Sequence, residues 1–117
     1  MKPTKYSVKD TNKIDLGTKV IHKYPNPTKD FDIGKMVVNG RHPQKANTFA
    51  LESACSFVMY ILKGSGKVYA DDNVFDVEVE DVVFMPNNCK FAVEGQLEYI
   101  TVDIPAYFPE QTTEVTV

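Results

Sequence analysis

The segment Asn39-Gly40-Arg41-His42-Pro43 sets a guanidinium beside an imidazole. The planar Arg41 fork suits a carboxylate or phosphate, and His42 titrates near neutrality. The same residues would be ordinary in a polar surface turn. The second histidine is His22, so three imidazoles cannot meet within one copy of the chain. Cys55 and Cys89 are too few for a disulfide framework and match no zinc spacing, which leaves two quiet buried thiols as the plain reading. A site made of His42, Glu52, Cys55 and Cys89 is conceivable, but nothing in their spacing supports it. No Ser/His/Asp set, phosphate-cradling glycine loop or nucleotide-binding fingerprint is present. Gly64-Ser65-Gly66 is expected to be a hairpin turn.

These residues must be positioned by strands. In Asn73–Glu80 the apolar Phe75, Val77 and Val79 alternate with Asp76, Glu78 and Glu80, the period of a half-buried strand. Similar runs rich in Val, Ile, Phe and Tyr cover 19–24, 31–39, 48–52, 57–62, 67–70, 81–85, 90–94 and 97–104. Turn residues separate them at Asp71-Asp72-Asn73, Pro86-Asn87-Asn88 and Glu94-Gly95-Gln96. No window carries a helical stripe. The expected fold is all-β, a sandwich or barrel. The 117 residues suffice for one domain over 1–117, with an N-terminal arm at 1–17 and a C-terminal tail at 105–117.

Hydrophobic residues make up 43% and charged residues 25%, as in ordinary globular chains, and the net charge is −3. The lysines are dispersed, so no nucleic-acid partner is expected. The N-terminus has no apolar signal region, and no run of about 18 apolar residues suggests a membrane span. A cytoplasmic location is expected.

Two segments then resemble the cupin motifs. Phe57-Val58-Met59-Tyr60-Ile61-Leu62-Lys63-Gly64-Ser65-Gly66-Lys67-Val68 looks like the end of the first motif, and Glu80-Asp81-Val82-Val83-Phe84-Met85-Pro86-Asn87-Asn88 like the opening of the second. The resemblance covers roughly 39–104 and implies a cupin-type double-stranded β-helix, or jelly-roll barrel. Cupins hold a metal in the barrel on three histidines and a carboxylate. Aligned on Gly64, the first motif puts Phe57 at the glutamate position and Ala50 and Glu52, or Leu51 and Ser53, at the histidine positions. Aligned on Pro86, the second puts its glycines on Glu80 and Asn88, its histidine on Phe91 and its asparagine on Gly95. Phenylalanine offers no lone pair, so the metal set is not retained, and no metal or cofactor is expected.

If side chains follow the family's parity, Phe57, Met59 and Ile61 point inward from one strand and Phe91 and Val93 from another. They form either an apolar cup for a small organic ligand or a core that fills the barrel. Glu52 is directed at the former metal position in one register, where desolvation would raise its pKa. A one-residue slip puts it in solvent, where most glutamates sit. Arg41 and His42 would stand at the mouth, with Glu52 and His42 as the candidate catalytic groups. Tyr60 and Tyr99 are further candidates to face a ligand, whereas Lys90 has outward parity. The segment Pro105-Ala106-Tyr107-Phe108-Pro109-Glu110-Gln111 resembles that of small bacterial cupins without assigned activity.

Three functions follow as expectations. The first is a metal-independent module binding a small metabolite, sugar-like ones included. The second is a metal-independent isomerase or epimerase acting on a carbohydrate. The third is a ligand-free homodimeric barrel paired through Tyr107-Phe108-Pro109.

Overall fold

The computed structural model describes residues 2–117. Nine strands run in chain order: β1 (Asn12–Asp15), β2 (Lys19–Lys23), β3 (Asp32–His42), β4 (Thr48–Glu52), β5 (Ser56–Ala70), β6 (Asn73–Glu78), β7 (Val82–Met85), β8 (Lys90–Ile104) and β9 (Thr112–Thr116). One-turn 3-10 segments at Val8–Asp10 and Pro109–Gln111 are the helical pieces among the described residues. All pairings are antiparallel, in the order β1-β2-β3-β8-β4-β9, with β5 alongside β8 and carrying β6 and β7 on its other edge. The sheet curls so that one face closes on itself.

Alternation decides that face. Along β8 the residues Phe91, Val93, Leu97, Tyr99, Thr101 and Asp103 are buried. On its two neighbours they meet Met36 and Val38 of β3 and Phe57, Met59, Ile61 and Val68 of β5. β8 positions the site because it pairs with β3, β4 and β5 at once. The expected all-β barrel is thus observed, and several of its strand ends differ from expectation.

Gly64-Ser65-Gly66 is not a hairpin turn. β5 is one strand of 15 residues, and β8, expected to break at Glu94-Gly95-Gln96, is another. The two pass very close here: a side-chain carbon at Gly66 would strike the Glu94 carbonyl, and one at Gly95 would lie 2.6 Å from the Ser65 oxygen. The glycines permit a tight backbone approach, a role that uses the same residue type as a turn.

Part of the arm and part of the tail are strands. Residues 12–15 form β1, paired with β2, and residues 112–116 form β9, paired with β4. In β6, by contrast, Val77 is buried while Phe75 is 44% exposed, and Val79, in the turn after the strand, is 49% exposed. β6 pairs only with β5, and nothing covers the rest of its expected inner face.

Candidate functional site

The curled face is hollow at one end. A cavity of about 450 Å³ opens between β2, β3, β4, β5 and β8, within the size range of small-molecule sites. One wall is hydrocarbon. Phe57 and Phe91 meet edge to face, their centroids 5.0 Å apart and their planes at 67°. Met36, Met59, Ala50 and Val93 continue that wall. Ile61 is fully buried in the core and lies outside the lining.

The other wall is ionisable. β2 alternates Lys19, Ile21 and Lys23 into the cavity, β3 adds Asp32 and His42, β4 adds Glu52, and β8 adds Tyr99, Thr101 and Asp103. The register sets Asp103 directly opposite Asp32 on one side and Phe57 on the other, and Thr101 between Gly34 and Met59. Lys23 Nζ lies 3.2 Å from Asp32 Oδ2, and the Tyr107 backbone N–H donates to the same oxygen at 2.9 Å. Lys23 also rests 5.0 Å above the Tyr107 ring.

Protonation follows from this crowding. Burial pushes Asp103 up to about 8, helped by its hydrogen bond to Asp32 and the charges of Glu52 and Asp32, against the pull of Lys19. Asp103 therefore carries a proton at neutral pH. Burial raises Glu52 too; a hydrogen bond from Gln111 and the Lys19 charge oppose it. His42 is driven down to about 4 by burial and by the Lys19 and Arg41 charges, so its imidazole is neutral. Lys19 is lowered by burial, with Glu52 and Asp103 countering. Two lysines thus face three carboxyls.

Glu52 points into the cavity, the ligand-facing register of the two expected. Gln111 holds it there: Nε2 donates to Glu52 Oε1 at 3.1 Å, while Oε1 accepts from the Ala54 and Cys55 N–H groups at 3.0 and 3.1 Å. The tail therefore builds the site. Tyr107 lines the cavity and its hydroxyl lies 2.7 Å from Thr112 Oγ1.

Arg41 does not line the cavity. Its Nη1 donates to the Pro43, Lys45 and Thr48 carbonyls at 2.6, 2.8 and 2.8 Å, and its guanidinium stacks 5.2 Å from the Phe49 ring. The charge that looked free for an anion is used to pin the loop between β3 and β4. Tyr60 is 41% exposed on the outer face, and Lys90 lies over Phe49, outside the cup. Cys55 is buried, donates to the Pro105 carbonyl at 3.4 Å, and is pushed up to about 11 by burial, which makes a poor nucleophile.

The residues do not fit a cupin metal. Ala50, Phe57 and Phe91 supply no donor, and Glu52 is engaged by Gln111. His22 alternates with the lining residues Ile21 and Lys23, so it faces away from His42. Among the described residues no three His, Cys, Asp or Glu side chains cluster to hold an ion.

This architecture is the cupin fold. Streptomyces PAC13 with uridine, in a tyrosine-to-phenylalanine variant, is similar at a TM-score of 0.88 and 17% identity, over 99% of this chain and 93% of that one. Pac13 is described as a nucleoside dehydratase. Oxalate decarboxylase from B. subtilis is similar at 0.78 and 15%, over 94% of this chain and 32% of that one. Ectoine synthase from P. lautus is similar at 0.70 and 13%, over 93% and 83%. No protein-family model and no curated protein sequence matches the chain. At these identities the likeness establishes the fold alone.

Proposed function

We propose that the chain is a metal-independent member of the cupin superfamily whose cavity binds a small hydroxylated metabolite, a nucleoside or other sugar-like molecule, and exchanges protons with it. One observation carries this reading: a hydrocarbon wall and a wall of Lys19, His42, Glu52 and Asp103 face each other across open space. A sugar ring presents matching surfaces, C–H faces and hydroxyls. A barrel that served only as core would not gather ionisable groups around a void, because each is costly to desolvate. The fold's likeness to a protein bound to uridine supports the ligand class.

The roles follow from charge. Neutral His42 has a ring nitrogen free to accept a proton, and Glu52 holds its own to higher pH than a free glutamate does. On a ligand that carries a carbonyl, a proton taken from the carbon beside it passes to one of them, a C=C bond forms as the C=O π bond opens, and the electron pair rests on the carbonyl oxygen, which Lys19 stabilises. Return of a proton on the other face gives epimerisation or isomerisation. The test is calorimetric titration with uridine and a panel of nucleosides and sugars, then proton NMR of bound ligands in D₂O. Binding with deuterium uptake that falls about 100-fold or more in Glu52→Gln or His42→Gln supports the proposal. Full uptake in both variants removes the proton-transfer role, and a panel without a single ligand removes the whole reading.

A homodimer rests on a separate observation. Phe84 is 74% exposed and Ile104 55%, and with Val82 and Tyr60 they share the outer face of β7, β5 and β8. Such an apolar face suits a second copy of the chain. Sedimentation should give twice the chain mass, reduced to one in Phe84→Asp. A cytoplasmic location accords with the free thiols of Cys55 and Cys89; no helix is long and apolar enough to cross a membrane.

A further inference from the structure

Thr101 is 5% exposed, lines the cavity, and carries the one buried side-chain oxygen without a hydrogen-bond partner among the described residues. Buried hydroxyls are normally paired, because leaving one bare loses its hydration without replacement. The space around it is also specific. Opposite Thr101 on β3 stands Gly34, where a side-chain carbon would lie 3.8 Å from Thr101 Oγ1 and 3.1 Å from Met36 Cε. Two residues on, with the same inward parity, comes Asp103.

We propose that Thr101 and Asp103, with the bare backbone of Gly34 as floor, form a subsite that seats one ring hydroxyl of the ligand. Asp32 is the positioning residue. Its Oδ2 is already occupied by Lys23 and the Tyr107 N–H, which keeps Asp32 as the acceptor of the carboxyl pair and turns the Asp103 proton toward it. The second Asp103 oxygen then accepts from the ligand hydroxyl, while the Thr101 hydroxyl donates to that same ligand oxygen. Met36 and Met59 flank the position and suit the adjoining C–H surface. The partner of Thr101 is then supplied by the ligand, which accounts for the absence of one in the protein.

The inference rests on the nucleoside or sugar reading, and Thr101→Val tests both separately. Valine keeps the shape and removes the hydroxyl. Two quantities are read: the melting temperature without ligand, and the affinity for uridine and for its 2′-, 3′- and 5′-deoxy analogues. The subsite predicts that Thr101→Val melts at or above the wild type and binds uridine about tenfold more weakly. It also predicts one deoxy analogue that both proteins bind equally, since its missing hydroxyl is the one Thr101 serves. A variant that melts several degrees lower overturns the subsite, because the hydroxyl then has a partner inside the protein. Equal uridine affinity in both proteins overturns it as well. If the wild type binds none of the four while the variant melts no lower, the nucleoside reading fails and the unpaired hydroxyl stands.

Discussion

Replacing Asp103 by asparagine should make the protein more stable, and only above a definite pH. Asp103 titrates near 3.8 in an unfolded chain and near 8 in the fold, chiefly because it is buried. Between those values the folded chain holds a proton that the unfolded chain has released. Stability therefore falls by about 1.4 kcal/mol for each pH unit through that window, and the whole penalty is in place above it. The window allows at most about 6 kcal/mol. Asp32, Glu52 and Lys19 all act on the group and share its charge, which makes about 2–4 kcal/mol the working magnitude. Asparagine fills the same space and donates to Asp32 as the protonated acid does, so it removes the penalty without opening a hole. For a chain of this size the melting temperature should rise by about 5–15 °C at pH 8 and by nearly nothing at pH 4. Scanning calorimetry of both proteins across that range reads the difference, in which His42 and the other groups cancel. A variant that melts lower throughout, or an advantage independent of pH, would refute the reasoning. Stability given up at one carboxyl is what a functional site commonly shows.

Other outcomes follow from neighbouring residues. His42 is neutral in the fold, so its stability contribution is present above 6.5 and lost as pH falls toward about 4; His42→Gln removes that loss, so its urea midpoints should rise relative to those of the wild type as pH falls across that range. Arg41→Ala should cost about 2–3 kcal/mol by removing three charge-assisted hydrogen bonds to loop carbonyls, with uridine affinity unchanged, whereas a ligand-binding arginine would lose affinity. Gly66→Ala should cost about 3 kcal/mol or prevent folding, because backbone blocks the new carbon, while Gly34→Ala, blocked mainly by the flexible end of Met36, should cost about 1 kcal/mol or less and still lower ligand affinity. Denaturant unfolding and calorimetric titration distinguish these.

Period-two alternation made the strands and their inward residues readable, since parity persists along a strand. Phe57, Met59, Phe91 and Val93 could be placed in the cup for that reason, and Glu52 followed once the register was chosen. Glycine misled because a close backbone approach and a tight turn call for the same residue, and cutting β8 at Gly95 broke the parity that links Phe91 to Asp103. Followed unbroken, that parity would have put Tyr99, Thr101 and Asp103 in the cavity. Lys19 and Asp32 were harder to foresee. They reach the site through the pairing of β2 with β3 and of β3 with β8, between residues up to 71 positions apart, and a buried acid or lysine is not expected from composition. Arg41 was legible as a strong donor, but its acceptors are backbone carbonyls that have no sequence signature.

Methionine methyl NMR bears most directly on whether the cup is open to a ligand. Met36 and Met59 line the cavity, whereas Met85 is equally buried behind it and outside the lining. With ¹³C-methyl-methionine protein and millimolar uridine or a related nucleoside, the Met36 and Met59 resonances should move together and saturably while Met85 stays still. Unmoved Met36 and Met59 signals across the whole panel, or a shift confined to Met85, would contradict a ligand in the cup.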